Sequence, residues 1–179
     1  YIQPFRGFDT HPHNDMEIIT YIIQGELTHK DSLGTKKTLG RHGIQYMSAG
    51  TGVSHSEFNE GNEVLHLYQI WVLPDKKGYE PQYGDMDFSD SLVQNQLTTL
   101  VAGDQSSAPI KIHQNVSIST GLFDSGETIN IDQEHFDFTY VLVIDGEVEI
   151  EELKAFKGDA VEGTKSYTMS VLEDAHVLI

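Results

Sequence analysis

Glu17-Ile18-Ile19-Thr20-Tyr21-Ile22-Ile23, halted at Gly25-Glu26, decides the fold class. A run of β-branched and aromatic residues suits a pleated, buried strand, and glycine ends it at a turn. The same rhythm returns at Tyr140-Val141-Leu142-Val143-Ile144-Asp145-Gly146-Glu147. An aromatic strand closing in Gly-Glu thus occurs twice, which points to two copies of one β-unit. Outward from these runs, strand signals continue at 26–29, 45–47 and 64–73, the last closed by Pro74. They resume at 110–113, 116–122, 128–131, 138–144, 147–150, 166–171 and 175–179. Asp145-Gly146 reads as a hairpin turn between two of them. Residues 91–100, with Leu92, Val93, Leu97 and Leu100, read as one short amphipathic helix. The expected fold is all-β: two antiparallel, jelly-roll-like barrels over 1–73 and 107–179, joined by a connector at 74–106 that holds the short helix. Glu151-Glu152-Leu153 is the odd junction, because two strands meet there without Gly, Asn, Asp or Pro. Either a loop is missing from the chain or the turn is an unusual one.

His11-Pro12-His13 and His55-Ser56-Glu57 each place ligand-type residues at i, i+2. In a strand such residues share a face. Two such pairs on neighbouring strands aim three imidazoles and one carboxylate at one point. That donor set suits Fe, Mn, Ni, Cu or Zn. Four protein ligands on an octahedral ion leave two positions open, where metals do chemistry. Glu17 competes with Glu57 for the carboxylate position. It shares parity with His11 and His13, yet a straight strand holds it about 13 Å from His13, and only the turn signal Asn14-Asp15 can fold it back. Glu57 has the simpler geometry, and the spacing leaves both in play. His29, His42, His66, His113, His135 and His176 lack close ligand-type neighbours and read as structural or surface residues, although His29 and His66 lie in strands from which they can support the ligands. There is no Gly-x-Ser-x-Gly elbow, P-loop or dinucleotide fingerprint.

Composition narrows the function classes. The chain has 179 residues, 38% hydrophobic and 22% charged, in the range of ordinary globular proteins. With 11 Lys+Arg against 28 Asp+Glu, its net charge of −17 disfavours direct contact with nucleic-acid phosphates and anionic membranes. No apolar run reaches transmembrane length. The absence of cysteine excludes disulfides, thiolate metal sites and Cys nucleophiles, and fits a reducing cytoplasm.

Gly7-Phe8-Asp9-Thr10-His11-Pro12-His13, Glu17-Ile18-Ile19-Thr20-Tyr21, His29-Lys30-Asp31-Ser32-Leu33-Gly34, and Gln45-Tyr46-Met47-Ser48-Ala49-Gly50-Thr51-Gly52-Val53-Ser54-His55-Ser56-Glu57 together resemble the pirin family of the cupin superfamily. The resemblance runs nearly unbroken from about residue 5 to 74 and takes in Gln69-Ile70-Trp71-Val72-Leu73-Pro74. It implies a bicupin with one mononuclear divalent metal in the first barrel, Fe(II) foremost and Mn, Ni, Cu, Co or Zn as alternatives. It implies His11, His13, His55 and Glu57 as ligands, and makes Glu17 a residue of the pocket or one that supports the ligands. It also implies a dioxygenase that opens the ring of quercetin or a related flavonol with O2 and releases carbon monoxide. Glu57 would then be the catalytic proton acceptor, with Glu17 as the alternative base. The alternative in the same family is a metal-binding regulatory module that docks to a protein partner. Two departures stand out. The β-rich segment that the family carries ahead of His-Pro-His is missing, so the chain is expected to be incomplete at its N-terminus. The second half offers only His113-Gln114-Asn115 in place of a His-x-His, so its barrel is expected to be metal-free and structural.

Overall fold

A computed structural model describes residues 1–103, 107–132 and 136–179; His135 and connector positions 104–106 lie outside the described residues. The chain divides into two compact units, residues 1–90 with 110–114, and residues 91–109 with 115–179. Its strands are β1 (Gly7–His13), β2 (Glu17–Gln24), β3 (Leu27–Asp31), β4 (Lys36–Leu39), β5 (Gly43–Ser48), β6 (Val53–Phe58), β7 (His66–Val72), β8 (Gln82–Asp87), β9 (Leu97–Gly103), β10 (Ile110–Ile112), β11 (Ser117–Phe123), β12 (Thr128–Ile131), β13 (Thr139–Ile150), β14 (Leu153–Phe156), β15 (Ala160–Gly163) and β16 (Tyr167–Leu178).

In the first unit two four-stranded sheets, β1-β6-β3-β4 and β7-β2-β5-β8, pack face to face. Ile18, Met47 and Val53 join them at one end, and Ile22, Leu27, Leu39 and Leu65 at the other. Each such side chain, fully buried, contributes roughly 1.5–3 kcal/mol. Pro12 is tolerated in β1 because β1 is an edge strand, with no ladder on one side to lose a donor.

The second unit repeats the plan. In the first, β2 pairs with β5, and β3 with β4. In the second, residues 139–142 of β13 pair with β15, and residues 147–150 with β14. One strand, β13, thus does the work of β2 and β3 together. The two Gly-Glu signals mark the matching corner. Gly25, at φ 76°, ends β2, whereas Gly146, at φ 85°, sits inside β13 at a run of register shifts. A β-bulge with glycine in the left-handed region lets a strand twist onto a new partner without ending. A Cβ on Gly146 would strike the backbone of Asp174 and Ala175. Asp145-Gly146 is therefore a bulge and not the expected hairpin.

The hairpin lies a few residues later, at the odd junction. Ile150 pairs with Leu153, so Glu151 and Glu152 alone make the turn, with φ of 47° and 70°. Positive φ at both positions is the type I′ pattern, which normally takes Asn-Gly. The unusual turn, and not a missing loop, explains the junction. A left-handed conformation costs an L-residue roughly 1–2 kcal/mol. Glu152→Gly should therefore raise stability by about 0.5–1 kcal/mol after its greater unfolded-state entropy is counted, visible as a Tm higher by a few degrees. A lower Tm would reject the strained turn.

Other expectations change too. Among the described residues there is no helix, and neither unit closes its ladder into a barrel; the sheets stay open. The expected helix over 91–100 is displaced by β9, which pairs with β11. Asn95, at φ 61°, breaks any helical run, and Thr98, Thr99 and Val101 favour a strand. β8 falls within the stretch read as connector, and the segments read as 166–171 and 175–179 form the single strand β16.

Candidate metal centre

β6 lies between β1 and β3, and its alternation decides what faces the sandwich interior. Val53, His55 and Glu57 are buried, while Ser54, Ser56 and Phe58 are partly exposed. The antiparallel register sets His11 opposite His55 on one side and Asp31 opposite His55 on the other; His29 stands opposite Glu57. The row across three strands is therefore His11, His55, Asp31, and the adjacent row holds Glu57 and His29. Ring centroids of His11 and His55 are 4.5 Å apart, His11 and His13 4.9 Å, His13 and His55 5.0 Å. One donor atom from each of these three imidazoles lies within 4.8 Å of the others. Glu57 falls in a second such group with His29 and His55, so His55 links the two.

The protonation states suit coordination. His55 is 1% exposed, and neither of its ring nitrogens has a hydrogen-bond partner. Burial above all, then the neighbouring His11, His29 and His13, drives its pKa down to about 3. Burial, then His11, also lowers that of His13. A ligand imidazole must be neutral, and these are kept so. His11 donates its Nδ1–H to the Asp9 carbonyl at 2.7 Å, which leaves Nε2 with the free lone pair. Leaving a buried polar group unpaired costs roughly 1–3 kcal/mol. The two orphaned nitrogens of His55, in a nest of imidazoles beside a buried carboxylate, fit a divalent cation.

Glu57 is held from the opposite sheet. Gln45 Nε2 donates to Oε1 at 2.5 Å and Gln69 Nε2 to Oε2 at 2.8 Å. Burial raises its pKa, against the lowering pull of those hydrogen bonds and of His29 and His11. Glu17 is elsewhere. Thr20 faces the interior, accepting from Gln69 at 3.2 Å, and strand alternation turns Glu17 to the other face of that sheet. There Glu17 accepts hydrogen bonds from Ser48 Oγ at 2.8 Å and His113 Nδ1 at 3.2 Å. The reading of Glu17 as a pocket residue is corrected by this parity.

His29, which the sequence offers only as a strand residue able to support the ligands, is fully buried, bonded through Nε2 to Asp31 Oδ2 at 3.0 Å and stacked on Tyr83 at 4.7 Å. The signal was present, because His29 and Asp31 are themselves an i, i+2 pair. Asp31 was absorbed into the turn signal, and it does hold that turn, accepting from the backbone N–H of Leu33 and Thr35. Burial would raise the Asp31 pKa, but the hydrogen bonds from His29 and Thr35 bring it down. Gln45, Gln69 and Trp71 lie within the stretches that resemble the pirin family, but no ligand-type spacing marks them as site residues. His66 stacks on Tyr1, His42 meets the Tyr21 hydroxyl and His176 meets Thr120, each apart from the cluster. In the second unit the corresponding ladder pairs Ile129 with Met169 and Ile131 with Tyr167, all in or against its apolar core.

The His55 shift has a consequence for stability. Unfolded His55 takes a proton near pH 6.5, but in the fold it does so only at about 3. Between these values the unfolded chain binds more protons. Metal-free protein should therefore lose stability as pH falls through that window, by up to about 1.4 kcal/mol per unit. Glu57 opposes this, because its raised pKa favours proton uptake on folding. Chemical denaturation at pH 7, 6 and 5 with chelator present should show the decline, and His55→Gln should flatten it. An unaltered slope in that variant would reject His55 as the source. Proton competition for the metal at His55 and His13 should set in at lower pH than it does for free imidazoles, because the fold lowers the pKa of both.

The Pirin family model matches residues 1–72, and the model for the quercetinase C-terminal cupin domain matches 99–179. A quercetin 2,3-dioxygenase of Escherichia coli K12 is 36% identical over 183 residues, covering 99% of this chain and 77% of that protein. A pirin-like protein of Caulobacter vibrioides is 34% identical over 183 residues, covering 99% and 78%. The crystal structure of the bacterial pirin YhhW from Escherichia coli in complex with nickel(II) superposes with a TM-score of 0.90 at 34% identity, over 99% of this chain and 76% of that one. Similarity of this degree, sustained through both units, establishes that the chain belongs to the pirin family of cupins.

Proposed function

We propose that this chain is a metal-dependent dioxygenase that cleaves the ring of quercetin or a related flavonol with O2. His11, His13, His55 and Glu57 hold one divalent ion in the first unit, and the second unit is a metal-free structural partner. The observation that carries the reading is His55, buried with both ring nitrogens unpartnered among the other imidazoles. Relatives named quercetin 2,3-dioxygenase supply the substrate class. Fe(II) is the ion we assign; the nickel complex of YhhW makes Ni(II) the first alternative to load, ahead of Mn, Cu, Co and Zn.

When bound, the ion supplies Lewis acidity that lowers the pKa of a chelated substrate hydroxyl, and, as iron, reactivity toward O2. The rest is the chain's work. Asp9 sets the tautomer of His11. Gln45 and Gln69 aim the Glu57 carboxylate. Glu57 accepts the substrate's hydroxyl proton, and its raised pKa makes it the stronger base for that step. Ile18, Met47 and Val53 form an apolar wall in the same sandwich and keep bulk water away.

The test is oxygen uptake and carbon monoxide release by iron-loaded and nickel-loaded protein with quercetin and two other flavonols. Turnover is the expected result. Full metal loading without uptake on any flavonol would sink the dioxygenase reading and leave the regulatory module, for which the net charge of −17 favours a protein partner over nucleic acid.

A further inference from the structure

Trp71 is the chain's single tryptophan. It is 55% exposed, and an exposed aromatic alone means little. Its attachments matter more. The indole Nε1–H donates to Gln69 Oε1 at 2.9 Å. The ring meets that of His13 at 5.1 Å and 83°. Gln69 in turn donates from Nε2 to Glu57 at 2.8 Å. Gln69 and Trp71 are i, i+2 on β7 and share its interior-facing side. The indole is thus pinned at the rim of the histidine cluster by one hydrogen bond and one ring contact, with more than half of its surface open. A chain seeking only to bury tryptophan would not leave it there. A ring already fixed in place costs a flat ligand little ordering entropy when the two stack.

We propose that the open face of Trp71 is the platform on which the aromatic rings of the substrate stack, which makes Trp71 a specificity-determining residue of this site. The proposal rests on the flavonol reading above and narrows it. Planar polyphenols with a chelating oxygen pair are favoured, and aliphatic chelators gain nothing from Trp71. Offset stacking of aromatic rings is favourable beyond the area it covers, and removing the ring should weaken aromatic binding about tenfold, a loss of about 1.4 kcal/mol.

The experiment is anaerobic calorimetry of nickel-loaded wild type, Trp71→Leu and Trp71→Phe with two probes, quercetin and acetohydroxamate. Metal content of each protein is measured alongside. The expected result is a Kd for quercetin about tenfold weaker in Trp71→Leu and only slightly weaker in Trp71→Phe. Acetohydroxamate binding and metal content should be equal in all three. The proposal is overturned if quercetin fails to bind the wild type, or binds Trp71→Leu with unchanged affinity. It is also overturned if both probes weaken together in both variants, since Trp71 would then only hold the site's shape. The dioxygenase reading fails separately, by absent oxygen uptake in an iron-loaded wild type whose quercetin binding still depends on Trp71.

Discussion

His13→Ala should lose most of its bound metal. His13 sits on the edge strand β1, half-buried, with its ring 4.9 Å from that of His11 and 5.0 Å from that of His55. Its lowered pKa keeps the lone pair free at neutral pH. Even groups that only support a metal ligand are typically worth about 10–100-fold in affinity, so deleting a ligand should cost roughly a hundredfold or more. The fold should survive, because an edge-strand side chain contributes little to either apolar cluster. Metal content after dialysis against a weak chelator, with circular dichroism as the check on folding, reads the result. Full metal retention in a folded variant would remove His13 from the site.

Glu57→Gln and Glu17→Gln should part sharply. In Glu57→Gln the negative charge beside the imidazoles is gone. The new amide also sets an NH2 group against the donors of Gln45 and Gln69, which now bond to the two carboxylate oxygens. Only a flip of one glutamine relieves that clash, and an unpaired buried donor costs roughly 1–3 kcal/mol. Loss of the base alone should lower turnover by about a hundredfold or more, with weaker metal binding besides. Glu17→Gln alters the opposite face of the sheet, where Ser48 and His113 are the partners. It should keep its metal and most of its activity, and lose only some stability. The measurements are metal content and flavonol-dependent oxygen uptake for both variants. If Glu17→Gln sheds the metal while Glu57→Gln retains it, the carboxylate assignment is wrong.

Much of this was open to reading along the chain. The β class, the doubled strand–Gly–Glu rhythm and the two i, i+2 pairs all rest on local rules, namely side-chain alternation, β-branching and turn residues. Local rules failed where one signal has two tertiary outcomes. Asp-Gly serves a hairpin and a bulge equally well, and at Gly146 the backbone of Asp174 and Ala175 packed against it fits the bulge. Glu151-Glu152 breaks turn chemistry outright, and is held in a left-handed turn because Ile150 and Leu153 must pair. The apolar spacing over 91–100 suits a short helix in isolation; pairing with β11 makes its second half a strand.

The sequence by itself determined which residues have the chemistry for a metal centre, since histidine and carboxylate at i, i+2 in a strand point one way whatever the strand packs against. Which strands lie side by side, and which face of each looks inward, only the tertiary structure decided. It placed His11 against His55, brought the His29–Asp31 pair up beside Glu57, and turned Glu17 to the far side of its sheet. It also supplied Gln45, Gln69 and Trp71, whose roles depend on a second sheet folding over the first. The physical reason is range. Alternation acts between neighbours in sequence, whereas register and sheet-on-sheet packing are set by the burial of apolar faces drawn from residues far apart along the chain.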